Sequence, residues 1–210
     1  MKQISHYFLI GLLITTLQFV HNNVCAQSIF SSSEGAIGLS YGGLGSNDAI
    51  YSSDIIGGGD YTSNGYYSIG ITYLRAITSR IELETGVSYN KYNYLFSNAS
   101  LGPDGPAPYE VLNTVIDIPV TIRWIFLKYF FLNGGLSIGI DTKKENHLDS
   151  QTGIGAIIGV GAKYDIKRTP VGLFVNPYSK IHSLIPFQKE GYHQRALENG
   201  FRFGVVYYVR

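Results

Sequence analysis

Between residues 152 and 165 apolar and small residues alternate without a break. Ile154, Ala156, Ile158, Val160, Ala162 and Tyr164 are interleaved with Gly153, Gly155, Ile157, Gly159, Gly161 and Lys163. A period of two puts one set on each face of a β-strand. Seven other stretches behave alike. Together they predict strands over Glu34–Gly43, Gly65–Arg75, Ile81–Tyr94, Asn113–Ile125, Tyr129–Asp141, Thr152–Asp165, Pro170–Ile181 and Leu197–Arg210. The gaps between them alternate too. Long gaps (44–64, 95–112, 142–151 and 182–196) follow the odd strands, and short turns (Ala76–Arg80, Phe126–Lys128 and Ile166–Thr169) follow the second, fourth and sixth.

The large apolar residues keep to one face. In the fourth strand these are Ile116, Ile118, Val120, Ile122 and Trp124; in the eighth they are Phe201, Phe203, Val205, Tyr207 and Val209. The opposite face is glycine or polar. A sheet with one face in water would carry polar residues outside; this pattern is the inverse, as expected when lipid is the outer solvent. The predicted fold is all-β: an eight-stranded antiparallel transmembrane β-barrel, an up-and-down meander in one domain over residues 27–210. Two prolines interrupt the pattern. Pro119 falls mid-strand and removes a ladder donor, so a bulge or kink is expected there. Pro177 breaks the seventh strand.

The first 26 residues read as a cleaved signal peptide: Lys2, an apolar stretch Tyr7–Val20, then Val24-Cys25-Ala26 before Gln27. Cleavage removes the chain's one cysteine, which excludes disulfides and thiolate chemistry in the mature protein. Fifteen basic and fifteen acidic residues remain, a balance that gives no reason to expect nucleic acid as a partner. Aromatic residues are placed as interfacial belts: Tyr41, Tyr67 and Tyr89 towards the long gaps; Tyr73, Trp124, Phe130, Tyr164 and Tyr207 towards the short turns. Export and barrel pattern together predict an outer-membrane protein, with termini and short turns in the periplasm and four long loops outside.

An eight-stranded barrel is narrow enough for side chains to fill. Parity sends Glu82, Glu84 and Asp117 inward with Arg123, Lys163 and Arg202. Three acids against three bases predict an ion-paired plug; a lining of one sign would mark an ion-selective pore. Chemistry at the loop face is the competing reading. His182 and His193 flank Ser183 and precede Glu198, the residue types of a nucleophile, base and orienting acid. Histidines in loops are more often solvated than catalytic, and the expectation is a protein without enzymatic activity. His147 and Asp149 offer two ligands in one loop, too few to specify a metal site. Gly153-x-Gly155 lies in a strand with no helix after it, so it is no phosphate-binding loop; Gly57-Gly58-Gly59 reads as plain loop. No cofactor is expected.

The segment Ile116-Asp117-Ile118-Pro119-Val120-Thr121-Ile122-Arg123, followed by Tyr129-Phe130-Phe131-Leu132-Asn133-Gly134-Gly135, resembles the PorT-like bacterial outer-membrane β-barrel family. That resemblance implies the barrel fold over the mature chain and a location in the outer membrane. The C-terminus resembles the signal read by the barrel-assembly machinery: Arg202, Gly204, Tyr207 and Val209 have its spacing, although Arg210 stands where an aromatic is usual. The partners expected are outer-membrane lipid, the assembly machinery during biogenesis, and envelope or secretion proteins. The leading functional expectation is a non-enzymatic barrel whose loops contact surface partners or which supports an envelope or secretion complex. The alternatives are a barrel enzyme acting on lipid or peptide at the loop face, and a narrow small-solute pore.

Overall fold

Eight strands pair in chain order, each antiparallel to the next, and the last closes on the first. The structure, a computed structural model, describes residues 35–51, 60–97, 107–142, 148–188 and 193–209. The strands are β1 (Gly35–Tyr51), β2 (Asp60–Ala76), β3 (Ile81–Ser97), β4 (Tyr109–Phe126), β5 (Phe130–Asp141), β6 (Gly153–Asp165), β7 (Val171–Pro186) and β8 (Gln194–Val209). The signal peptide, Gly57-Gly58-Gly59, His147 and Arg210 lie outside the described residues. Among the described residues no helix is long and apolar enough to cross a membrane; in a closed barrel the strands cross, and closure leaves no backbone edge in lipid.

The two faces separate as alternation requires. Ile37, Leu39, Ile69, Ile71, Ile122, Leu136 and Val205 are exposed on the outside, while Asn90, Asn133, Asn176 and Glu84 are buried inside. The aromatic residues of both predicted belts are exposed on the outer face.

Three predicted strand ends are instead bulges within longer strands. Alternation stops at Gly43, yet β1 continues to Tyr51 after Leu44 and Gly45 bulge against β8. It begins at Gly65, yet β2 starts at Asp60, with Asn64 and Gly65 bulged against β3. It ends at Ile181, yet β7 runs to Pro186, with His182, Ser183 and Leu184 spanning the place of Gly155 on β6. Each bulge holds a residue of positive φ: Leu44 (55°), Gly65 (92°) and Ser183 (47°). A bulge inverts the parity of all that follows, and so looks like the end of a strand.

The prolines do the reverse. The register between β3 and β4 is the same on both sides of Pro119, with only the pairs of Gly86 and Val87 missing, and pairing to β5 continues through Pro119–Ser137. Pro177 likewise pairs with Phe201 on β8 while the β6 side skips two pairs without shifting. The expected bulge at Pro119 is therefore absent. Each proline turns its donor-less nitrogen towards one neighbour, and the ladder on the other side carries the register across.

The interior is layered. At the short-turn end Ala36, Leu74, Phe131, Phe174 and Val206 form an apolar cluster, with Ile125 and Tyr208 packed on it. At the long-loop end Tyr92, Tyr94, Val111, Val115 and Leu148 form another, flanked by Tyr61, Tyr66 and Phe96. The glycines of the inner face seat these rings. A Cβ at Gly161 would lie 2.2 Å from Phe131 Cζ, and one at Gly204 would lie 2.2 Å from Phe174 Cε1. A glycine-lined face here means occupied space.

Candidate functional site

Between the two apolar layers lie two buried charge networks. The first is nearer the short turns. Glu82 and Glu84 project inward from β3, Arg123 from β4, Lys163 from β6 and Arg202 from β8. Glu82 and Arg123 are direct cross-strand partners. Arg123 Nη1 is 3.5 Å from Glu82 and its Nε 3.6 Å from Glu84. Lys163 Nζ donates to Glu82 at 3.1 Å, and Arg202 Nη2 lies 2.8 Å from Glu84. The Arg123 guanidinium stacks on Phe131 with its Cζ 3.9 Å from the ring centroid, so a cation–π contact joins this network to the apolar floor.

The second network is nearer the long loops. Lys180 Nζ on β7 donates to Asp117 at 2.9 Å and lies 2.7 Å from Glu198, its cross-strand partner on β8. His182 lies 3.5 Å from each of the same carboxylates. Tyr92 donates to Glu198 at 2.5 Å, Tyr178 also donates to Glu198, and Asn90 donates to Asp117 at 2.8 Å. Lys180, His182, Asp117 and Glu198 are all buried. Charges removed from water require such dense pairing.

Of the six residues that parity places inside, the structure brings together Glu82, Glu84, Arg123, Lys163 and Arg202. Asp117 is inward but belongs to the second network. Lys180, His182 and Glu198 were not assigned to the interior from sequence. The signal for them is the inward period Phe174, Asn176, Tyr178, Lys180, His182, which Pro177 and the end of alternation at Ile181 obscure. His182 and Ser183, expected in a loop, are strand residues and buried.

The enzyme constellation is divided. Ser183 Oγ lies 3.1 Å from His193 Nε2. Glu198, the acid proposed with them, is instead held by Tyr92, Tyr178, Lys180 and His182. Ser183, His193 and Glu198 do not form one relay, which a nucleophile, base and orienting acid require. Asp149 accepts from the Gln194 amide at 2.7 Å. Among the described residues no group of three or more metal-ligating side chains converges. Of the C-terminal set, Arg202 and Gly204 face inward, and Tyr207 and Val209 are exposed on the outside.

A cavity of about 30 Å³ separates the two networks, lined by the hydroxyls of Ser40, Ser68, Ser88 and Ser137 with Asp117 and Lys180. It has room for a water but lies far below the several hundred Å³ of a small-molecule site.

Residues 25–206 match the family model described as "Outer membrane protein beta-barrel domain". No curated protein matches the sequence. Among solved structures, the chain is similar to the outer membrane protein OprG from Pseudomonas aeruginosa, with a TM-score of 0.51 at 8% identity over 87% of this chain and 100% of that one. It is also similar to the outer membrane protein AlkL, solved in lipid bilayers, with a TM-score of 0.46 at 14% identity over 90% of this chain and 96% of that one.

Proposed function

Because the chain belongs to the family of outer membrane protein β-barrel domains, matched over residues 25–206, we propose that it is a closed, non-enzymatic barrel whose activity lies in the surface its long-loop end presents. The observation that carries this reading is the filled interior. An apolar layer, two ion-paired networks and an aromatic layer follow one another through the barrel, and the space between the networks is water-sized. A small-solute pore needs a continuous lumen, and a hydrolase needs the relay that is divided here.

The strands support the same reading. A barrel strand needs about 9–11 residues to cross the bilayer. β1 to β4 have 17 or 18, and the excess of β1 and β2 lies beyond their bulges with Asp48, Asp60, Thr62 and Asn64 exposed. This polar wall, with the long loops above it, is the part available to envelope or secretion proteins. The short turns and termini face the periplasm in this reading. The PorT-like resemblance of the Ile116–Arg123 segment is consistent with an envelope role and is retained as part of the proposal.

The test is electrical. Purified barrel in planar bilayers is expected to show no steady conductance. A reproducible open channel from the unmodified protein would overturn the closed-barrel reading.

A further inference from the structure

The exposed charges of the barrel are segregated by end. Among the described residues the exposed basic side chains are Arg75, Arg80, Lys128, Lys167 and Arg168, all at or beside the short turns. The exposed acidic ones are Asp48, Asp60 and Glu110, all at the long-loop end. Acids do occur near the short turns, but Glu82 and Asp165 point inward, the first to Lys163 and Arg123 and the second accepting from Tyr208 at 2.5 Å.

The backbone of the turns adds an independent observation. Lys128 and Arg168 have φ of 67° and 65°, the left-handed region where glycine or asparagine is the usual occupant of a hairpin turn. A long basic side chain at both positions is kept against local conformational preference. The rim also lies at headgroup level. Tyr73, Trp124, Tyr164 and Tyr207 are exposed on the outer wall just inside it, and amphipathic rings mark the membrane interface.

We propose that the short-turn rim is a binding surface for the phosphate headgroups of anionic glycerophospholipid. Guanidinium and ammonium groups spread over all three turns give charge-assisted hydrogen bonds to phosphate, and no exposed acid among the described residues opposes them. The inference rests on the orientation proposed above, in which this rim meets the inner, phospholipid leaflet of the outer membrane.

Trp124 provides the probe. It is the chain's one tryptophan, exposed on the outer wall and paired with Ile81, the residue after Arg80. Full mature barrel is reconstituted in phosphatidylcholine bilayers, and Trp124 quenching is compared for brominated phosphatidylglycerol and brominated phosphatidylcholine. The expected result is a several-fold preference for phosphatidylglycerol, decreasing with added salt as surface charge is screened. The variant R80Q/K128G lowers that preference, by up to about fivefold for each charge removed. Glycine at 128 suits the left-handed backbone, so heat-modifiable gel mobility is retained and the effect reports charge, not folding. Equal quenching by the two lipids, or a preference unchanged in R80Q/K128G, would overturn the inference while leaving the orientation standing. Preference for brominated lipid A over phosphatidylglycerol would overturn the orientation and the lipid class together. Abolition of the preference by inorganic phosphate, but not by sodium chloride of equal ionic strength, would show a site for free phosphate and also overturn it.

Discussion

Phe131 and Gly161 are direct cross-strand partners on β5 and β6, and the Phe131 ring occupies the volume that a side chain at 161 would need. Their relation is that of a large residue to the gap that admits it. Gly161→Ala forces the fully buried ring to move, and Arg123 stacked on it must move as well. Overpacking of this kind costs about 1–3 kcal/mol. Urea-induced unfolding in detergent, followed by Trp124 fluorescence, is expected to show that loss. A variant as stable as the parent would mean the ring is not held where the structure puts it.

Lys180 bridges two carboxylates on different strands, Asp117 on β4 and Glu198 on β8. Lys180→Met leaves both buried acids without their shared cation. Removing one partner of a buried ion pair typically costs about 3–5 kcal/mol. Glu198→Gln in the same background removes one of the orphaned charges and recovers part of that loss. If Lys180→Met costs under about 1 kcal/mol, a surface-like value, the second network does not hold the barrel together.

Gly65 separates backbone strain from packing. Its φ is +92° and a Cβ there would meet nothing within 4 Å. Gly65→Ala therefore adds no clash, and any destabilisation is conformational, about 1 kcal/mol or more. The same measurement on Gly70→Ala, where φ is ordinary, gives the comparison. Equal stability of Gly65→Ala and the parent would argue against the bulge in β2.

His193, just before β8, is held below its ordinary pKa chiefly by burial, with the positive charge of Arg195 acting in the same direction and Asp149 and Asp141 opposing. The folded state thus favours neutral imidazole. The stability linked to this is fully present above the unfolded value, about 6.5, and is lost as pH falls through the folded value. A His193→Gln variant is expected to flatten the stability profile below neutrality. An imidazole titrating above 6.5 by NMR would contradict the assignment.

The barrel was legible in sequence because lipid outside and packed residues inside enforce a period of two, and strand number and order follow from that period. Its interruptions were harder to interpret. At Gly43, Gly65 and Ile181 the period is inverted by a bulge, and inversion and termination look alike along a chain. Pro119 and Pro177 were misleading in the opposite sense, since proline removes one donor but leaves the opposite ladder intact. The interior was half legible. Parity assigns a face and no partner: Asp117 and Arg123 share the inner face of β4, yet six residues of extended chain separate them by about 20 Å. They consequently belong to different networks. The aromatic layers escaped notice because the glycines that admit them suggested empty space.

The bulges in β1 and β2 also act as a waterline. Below them the outer wall is Ile37, Leu39 and Tyr41 on one strand and Tyr67, Ile69 and Ile71 on the next; above them it is Asp48 on one and Asn64, Thr62 and Asp60 on the other. On this side, the level at which wall meets water coincides with a kink in the main chain. The draught of the vessel is thus inscribed in its ribs as well as its paint. Swapping single residues along the belt should leave the barrel floating at the same height, whereas straightening a rib would leave the polar residues beyond it on the wrong side of the wall.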